Sequence, residues 1–147
     1  MMKFDEGGQL TWATYTDATF SGIATDADGN ILAAGHRYPA IYVAKYAPDA
    51  ALLWEKEYPG GDDWQGCSYY GGRAVGADSD GNVFAAGYFG PAADITFGPG
   101  EPNETTLQAT PGCGTDVFVA QYAPDGMLRW ATSAGGHTFD DLYAIAV

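Results

Sequence analysis

Two pentapeptides, Asp26-Ala27-Asp28-Gly29-Asn30 and Asp78-Ser79-Asp80-Gly81-Asn82, set carboxylates at alternate positions ahead of a glycine, as calcium loops do. A hard divalent cation needs several oxygens from such a string. An EF-hand loop also demands glycine at its sixth position and a bidentate glutamate at its twelfth. Here glycine is fourth, and the twelfth residue is Arg37 counted from Asp26 and Phe89 counted from Asp78. The stronger reading is a tight hairpin turn, in which Asp and Asn bind local backbone N–H groups and Gly supplies a positive φ. A calcium site of another kind at Asp26, Asp28, Asp78 and Asp80 is the alternative; no other cofactor or metal is expected.

The remaining chemistry-bearing residues are scattered. His36 and His137 have no paired carboxylate motif, so exposed loop residues are the default reading against a metal or acid/base role. Trp64, beside Asp62 and Asp63, can stack on a sugar or pack its own loop, packing being the simpler. No Gly-x-Ser-x-Gly occurs, and Ser21, Ser68, Ser79 and Ser133 lack motif context. The run "GGDDWQG" lacks the strand-to-helix setting of a phosphate loop. Asn103-Glu104-Thr105 matches a glycosylation sequon, a triplet common by chance. No residue is assigned a catalytic role, and the expectation is a protein without enzymatic activity.

Composition narrows the class. The 147 residues suffice for one domain with a core, and 46% hydrophobic with 14% aromatic content is globular material. Nineteen acids against six bases give a net charge of −13, which argues against nucleic-acid partners and against docking on anionic membranes. No apolar run reaches the length of a membrane span, and Met1–Glu6 passes directly into acidic sequence without reading as a signal peptide.

The elements that must position these residues are repeated. KFDEGGQLTW (3–12), KYAPDAALLW (45–54) and QYAPDGMLRW (121–130) align without gaps, sharing an aromatic second, leucine eighth and tryptophan tenth. Trp12, Trp54 and Trp130 are thus packing residues. Ala144–Val147 further matches Gly22–Thr25. The runs Asn30–Gly35, Ile41–Tyr46, Ala51–Tyr58, Asn82–Tyr88, Val117–Tyr122 and Met127–Thr132 are rich in β-branched and aromatic residues and bounded by Gly, Pro and Asp. No helical period competes with them. The predicted class is all-β, with four antiparallel strands per repeat, the pattern of β-propeller blades. Residues 1–20 would close a preceding blade, 21–58 form blade one, and 73–133 blade two with long loops 59–72 and 89–115. Residues 141–147 would begin a next blade. Two blades cannot close a ring, so self-association or membership of a larger propeller is expected.

The strings "DVFVAQYAPDGMLRWATSAGG", "DLYAIAV" and "DSDGNVFAAGYF" resemble the bacterial SBBP-type β-propeller repeat. Blade one departs from that pattern, with Ala50 in place of the turn glycine. The resemblance implies an exported or cell-surface protein and names no catalytic residue.

In such a meander the short turns share one face, and the connections that vary in length share the other. Trp54 to Asp78 spans 24 residues against 14 from Trp12 to Asp26, and Asp78 to Gln121 spans 43 against 19 from Asp26 to Lys45. The two insertions bring Asp62, Asp63, Trp64, Tyr69 and Tyr70, and Phe89, Asp94, Phe97, Glu101, Asn103 and Glu104, to the loop-rich face with His36 and His137. Cys67 and Cys113 fall one in each insertion, so a disulfide between them is an open possibility. Long loops on a rigid scaffold commonly carry binding. The favoured function is a structural or binding scaffold for a protein or carbohydrate. The alternatives are an enzyme with an acidic/His site in a central channel, and a calcium-stabilised surface repeat.

Overall fold

The computed structural model describes residues 1–60, 69–91, 94–112 and 114–147. Among them every regular element is a β-strand, and all strands pair antiparallel. A hairpin of β1 (Met2–Phe4) and β2 (Leu10–Ala13) leads into β3 (Thr19–Thr25), β4 (Ile31–Arg37), β5 (Ala40–Tyr46) and β6 (Leu52–Pro59), which form a first four-stranded sheet in chain order. β7 (Tyr70–Ala77) and β8 (Val83–Phe89) begin a second sheet, β9 (Ile95–Phe97) and β10 (Thr105–Leu107) form an inserted hairpin, and β11 (Asp116–Tyr122) and β12 (Leu128–Ala134) complete the sheet. The all-β class and the strand order expected from the repeat are observed. Residues 141–147, expected to form a further strand, form none; Ile145 and Val147 instead touch β7 at Gly76 through side chains, without a backbone ladder.

The first sheet is apolar on both faces because each of its faces has a partner. Leu32, Ala34, Ile41, Val43 and Tyr58 face the second sheet, which answers with Val75, Val83, Ala85, Phe118, Ala120, Tyr122 and Leu128. Alternate residues of β4 and β5, namely Ile31, Ala33, Tyr42, Ala44 and Tyr46, point the other way and are covered by Met1, Trp12, Ala18 and Phe20.

The joint between the sheets is asymmetric. At β3 and β7 backbone meets backbone: a Cβ on Gly22 would lie 2.7 Å from the Arg73 carbonyl oxygen, and one on Gly72 would lie 2.6 Å from the Gly35 nitrogen. Toward β6 and β12 the gap widens and holds rings, with Phe97 centred 4.4 Å from Tyr58 and 5.1 Å from Phe118, and Trp54 5.8 Å from Tyr122.

The inserted hairpin fills that wide side, which corrects the expectation for residues 89–115. Phe89 ends β8 fully buried, and Ile95, Phe97 and Leu107 are buried beside it. Glu101 also turns inward, receiving Lys56 Nζ of β6 at 2.6 Å and the Leu128 N–H of β12, while Asn103 Nδ2 donates to the Leu128 carbonyl at 3.2 Å. Asp94 and Glu104 hold their own hairpin, through Gln108 Nε2 and the Gly100 N–H. Much of what length marks as loop is therefore core.

A second device recurs. The Trp12 indole donates to Pro48 O and the Trp54 indole to Pro124 O, both at 3.0 Å, so each tryptophan reaches the Ala-Pro-Asp turn of the following unit. Those turns and the aligned β1–β2 turn need a left-handed residue: φ is 90° at Gly126, 72° at Ala50 and 77° at Gly8. Ala50 accepts that conformation at a cost of about 1 kcal/mol. Ala50→Gly is expected to raise stability by up to about 1 kcal/mol, and Gly72→Ala to lower it by about 3 kcal/mol because backbone stands where the methyl must go. Urea titration of the two variants checks both signs.

Candidate functional site

The Asp-x-Asp-Gly-Asn turns are closed upon themselves. Asp26 Oδ1 accepts the N–H groups of Asp28 and Asn30 at 3.0 and 2.9 Å, and Oδ2 accepts Asn30 Nδ2 at 2.9 Å and Lys45 Nζ at 2.9 Å. Asp78 repeats the first three bonds with Asp80 and Asn82, at 2.9, 2.9 and 2.8 Å. Gly29 and Gly81 supply φ of 76° and 78°. The first carboxylate of each string is thus the acceptor that shapes the turn, while Asp28 and Asp80 stay exposed. Burial alone would raise the Asp26 pKa, but the bonds from Lys45 and Asn30 outweigh it and hold the group below the ordinary carboxylate value. Asp78 is also lowered, chiefly by the Asn82 side chain. Gln121 stands where the first sheet has Lys45, so only the first turn carries a buried ion pair.

At the other end of the second sheet lies an open cleft of about 390 Å³, lined by Tyr69, Arg73, Tyr88, Thr115, Phe139 and Asp141. β7 supplies Arg73 through a bulge: Gly72 pairs with Gly87 and Ala74 with Ala86, leaving Arg73 outside the ladder. β3 has the same irregularity between Phe20 and Gly22, where Ser21 sits. Released from the pleat, the Arg73 guanidinium lies 4.9 Å from the Tyr88 ring centre. Its Nε is 3.6 Å from Asp141 Oδ1, too far for a hydrogen bond, and has no hydrogen-bond partner among the described residues. Tyr69 meets Phe139 edge to face, with centroids 5.7 Å apart. The wall is pinned: Thr115 Oγ1 donates to Asp140 O at 2.7 Å, and the Asp140 N–H returns to Thr115 O at 2.8 Å.

Of the described residues that the sequence proposed for binding, only Tyr69 lines this cleft. Tyr70, its neighbour in an extended chain, points the opposite way and packs against the joint between the sheets. Phe89 is core. His36 lies near the end of β4 and His137 beyond β12, where its Nδ1 is 3.5 Å from Pro111 O. Among the described residues neither imidazole pairs with a carboxylate, and no three or more His, Cys, Asp or Glu are grouped to hold a metal. Asp62, Asp63, Trp64, Cys67 and Cys113, and with them the expected disulfide, lie outside the described residues. Arg73 was the missed signal: it is one of six bases in an acidic chain, set in an otherwise uncharged strand.

The first sheet carries a different polar cluster. Arg37 Nε lies 2.7 Å from Asp17 Oδ1, its Nη1 contacts Glu55 and Glu57, and its guanidinium sits 4.2 Å over the Tyr42 ring. Tyr42 donates to Glu55 Oε2 at 2.6 Å. Burial and that bond push the Tyr42 pKa well above its usual value, and the carboxylates raise Arg37 against the effect of its burial. Three acids already surround this guanidinium, so an external anion would meet their negative charge.

No family model matches the chain, and no curated protein matches it. Among solved structures, a protein of unknown function from Bacteroides caccae is similar with a TM-score of 0.45 and 14% identity, over 96% of this chain and 40% of that one. The chain thus spans less than half of that protein's length. The likeness to SBBP-type repeats rests on the quoted motifs alone.

Asp26→Ala is expected to cost about 3–5 kcal/mol, since it strands the buried Lys45 charge, and Asp78→Ala less. Because the Asp26 and Asp78 pKa values are depressed, their contribution is present above the unfolded value of 3.8 and is lost as pH falls below it. Melting curves from neutral to acid pH should show that loss. With the inner carboxylates already engaged, millimolar calcium should leave the melting temperature unchanged.

Proposed function

We propose that the chain is a non-enzymatic β-propeller repeat module, each four-stranded sheet a blade, serving as a scaffold for a carbohydrate or protein ligand. The blade reading is supported by the order of the joints. Met1 and Trp12 lie on the first sheet, the first sheet's opposite face lies on the second, and the same tryptophan-to-turn bond marks both joints. Ile145 and Val147 lie on Gly76 of β7 much as β7 itself lies on Gly22 of β3.

The observation that carries the binding reading is the cleft at Arg73. Its rim offers the rings of Tyr69 and Phe139, and its interior an arginine with an unused Nε–H beside an acid. Aromatic faces pack on the apolar side of a sugar ring, while arginine and aspartate bond hydroxyls or a carboxylate. A carbohydrate therefore suits the cleft better than an apolar ligand.

A glycan array followed by calorimetry tests this. Binding should weaken about tenfold or more in Arg73→Ala, the loss of a charged hydrogen bond, and also weaken in Tyr69→Ala. Binding that survives both substitutions would remove the cleft from the proposal, and silence across neutral and acidic glycans would remove the sugar.

A further inference from the structure

Equivalent positions on the successive units are buried inside the molecule and more exposed at its two outer faces, of which the second sheet's carries Ile145 and Val147 on β7 at Gly76. On the face of the first sheet that receives the second, Leu32 and Val43 are fully buried and Trp54 is half-buried. The same positions on the second sheet, by the repeat alignment, are Phe84, Val119 and Trp130. Phe84 and Val119 are only half-buried, and Trp130 is 40% exposed, meeting Phe84 edge to face at 6.2 Å. At the opposite end the reverse holds. On the receiving side of each sheet Ala44 and Tyr46, then Ala120 and Tyr122, are buried, yet their equivalents on β1, Met2 and Phe4, are 65% and 55% exposed, with Leu10 beside them at 54%.

We propose that these two faces are the halves of one further joint, formed head to tail between copies of this chain, with Phe84, Val119 and Trp130 of one copy against Met2, Phe4 and Leu10 of the next. The occupant is defined by continuity. β1–β2 already packs on the first sheet through Met1 and Trp12, as β5–β6 packs on the second sheet, so its outward residues stand where Tyr46 and Tyr122 receive a neighbouring sheet. At each internal joint the tryptophan indole donates to the carbonyl of the turn residue three places after the aligned Lys45 or Gln121, that is Pro48 and Pro124. The aligned residue on the leading hairpin is Glu6, whose carbonyl is the acceptor for Trp130 in the next copy. Such a contact is heterologous, so it adds copies in one direction and is not satisfied by a symmetric pair. A net charge of −13 on each copy opposes it, so the association should tighten as salt rises. The inference rests on the equivalence of the sheets and is independent of the cleft at Arg73.

Sedimentation velocity on the intact chain tests it. Mass should grow with concentration, and more readily at higher salt. Phe84→Asp blocks one face and Phe4→Asp the other, so each variant alone should remain a monomer. A mixture of the two should form a one-to-one pair and stop there, because each partner still carries one open face of the opposite kind. Trp130→Glu serves in place of Phe84→Asp should the latter fail to fold by circular dichroism. A chain that is monomeric at every concentration overturns the proposal and assigns the face to another occupant. Variants that keep associating alone, or a mixture that does not pair, overturn it equally.

Discussion

The contact between β3 and β7 governs the rest of the molecule. Gly22 and Gly72 let two sheets meet backbone to backbone along one side, at distances no side chain could survive. Apolar burial drives the sheets together everywhere, but the approach is limited by whatever lies between them, and on this side nothing does. On the other side Tyr58, Phe97, Phe118 and Tyr122 hold the sheets apart. The inserted hairpin exists at the width this difference creates.

The same economy appears in the charges. Four of the six basic residues, Arg37, Lys45, Lys56 and Arg73, sit in ion pairs that connect separate elements. Lys45 ties β5 to the turn before β4, and Lys56 ties β6 to the insertion. The excess acids remain largely at the surface, where water and salt screen them. A strongly acidic chain can therefore keep a well-ordered interior, because its few cations stand where burial makes their partners matter.

The repeat made the strands, their order and both turn types legible, since each rests on local chemistry: period-two apolarity, Asp and Asn bonding their own backbone, glycine at positive φ. The role of 89–115 was hidden by length. Ile95 and Phe97 alternate as a strand does, but a three-residue strand gives too short a pattern to separate from loop, and Glu101 reads as solvent-facing until Lys56 arrives from 45 residues away. The cleft was hidden for a different reason. It depends on the bulge that frees Arg73, and a bulge is a mismatch of register between two strands, which neither strand encodes alone.

A joint that is thin along one edge and thick along the other is a wedge. Stacking identical wedges turns the stack about an axis near the thin edge, so successive sheets cannot run straight as they would in a flat, fibre-forming ladder. The close glycines of β3 and β7 thereby do more than permit packing: they set the angle between the two sheets, and any further sheet added through a like joint would be turned by the same wedge.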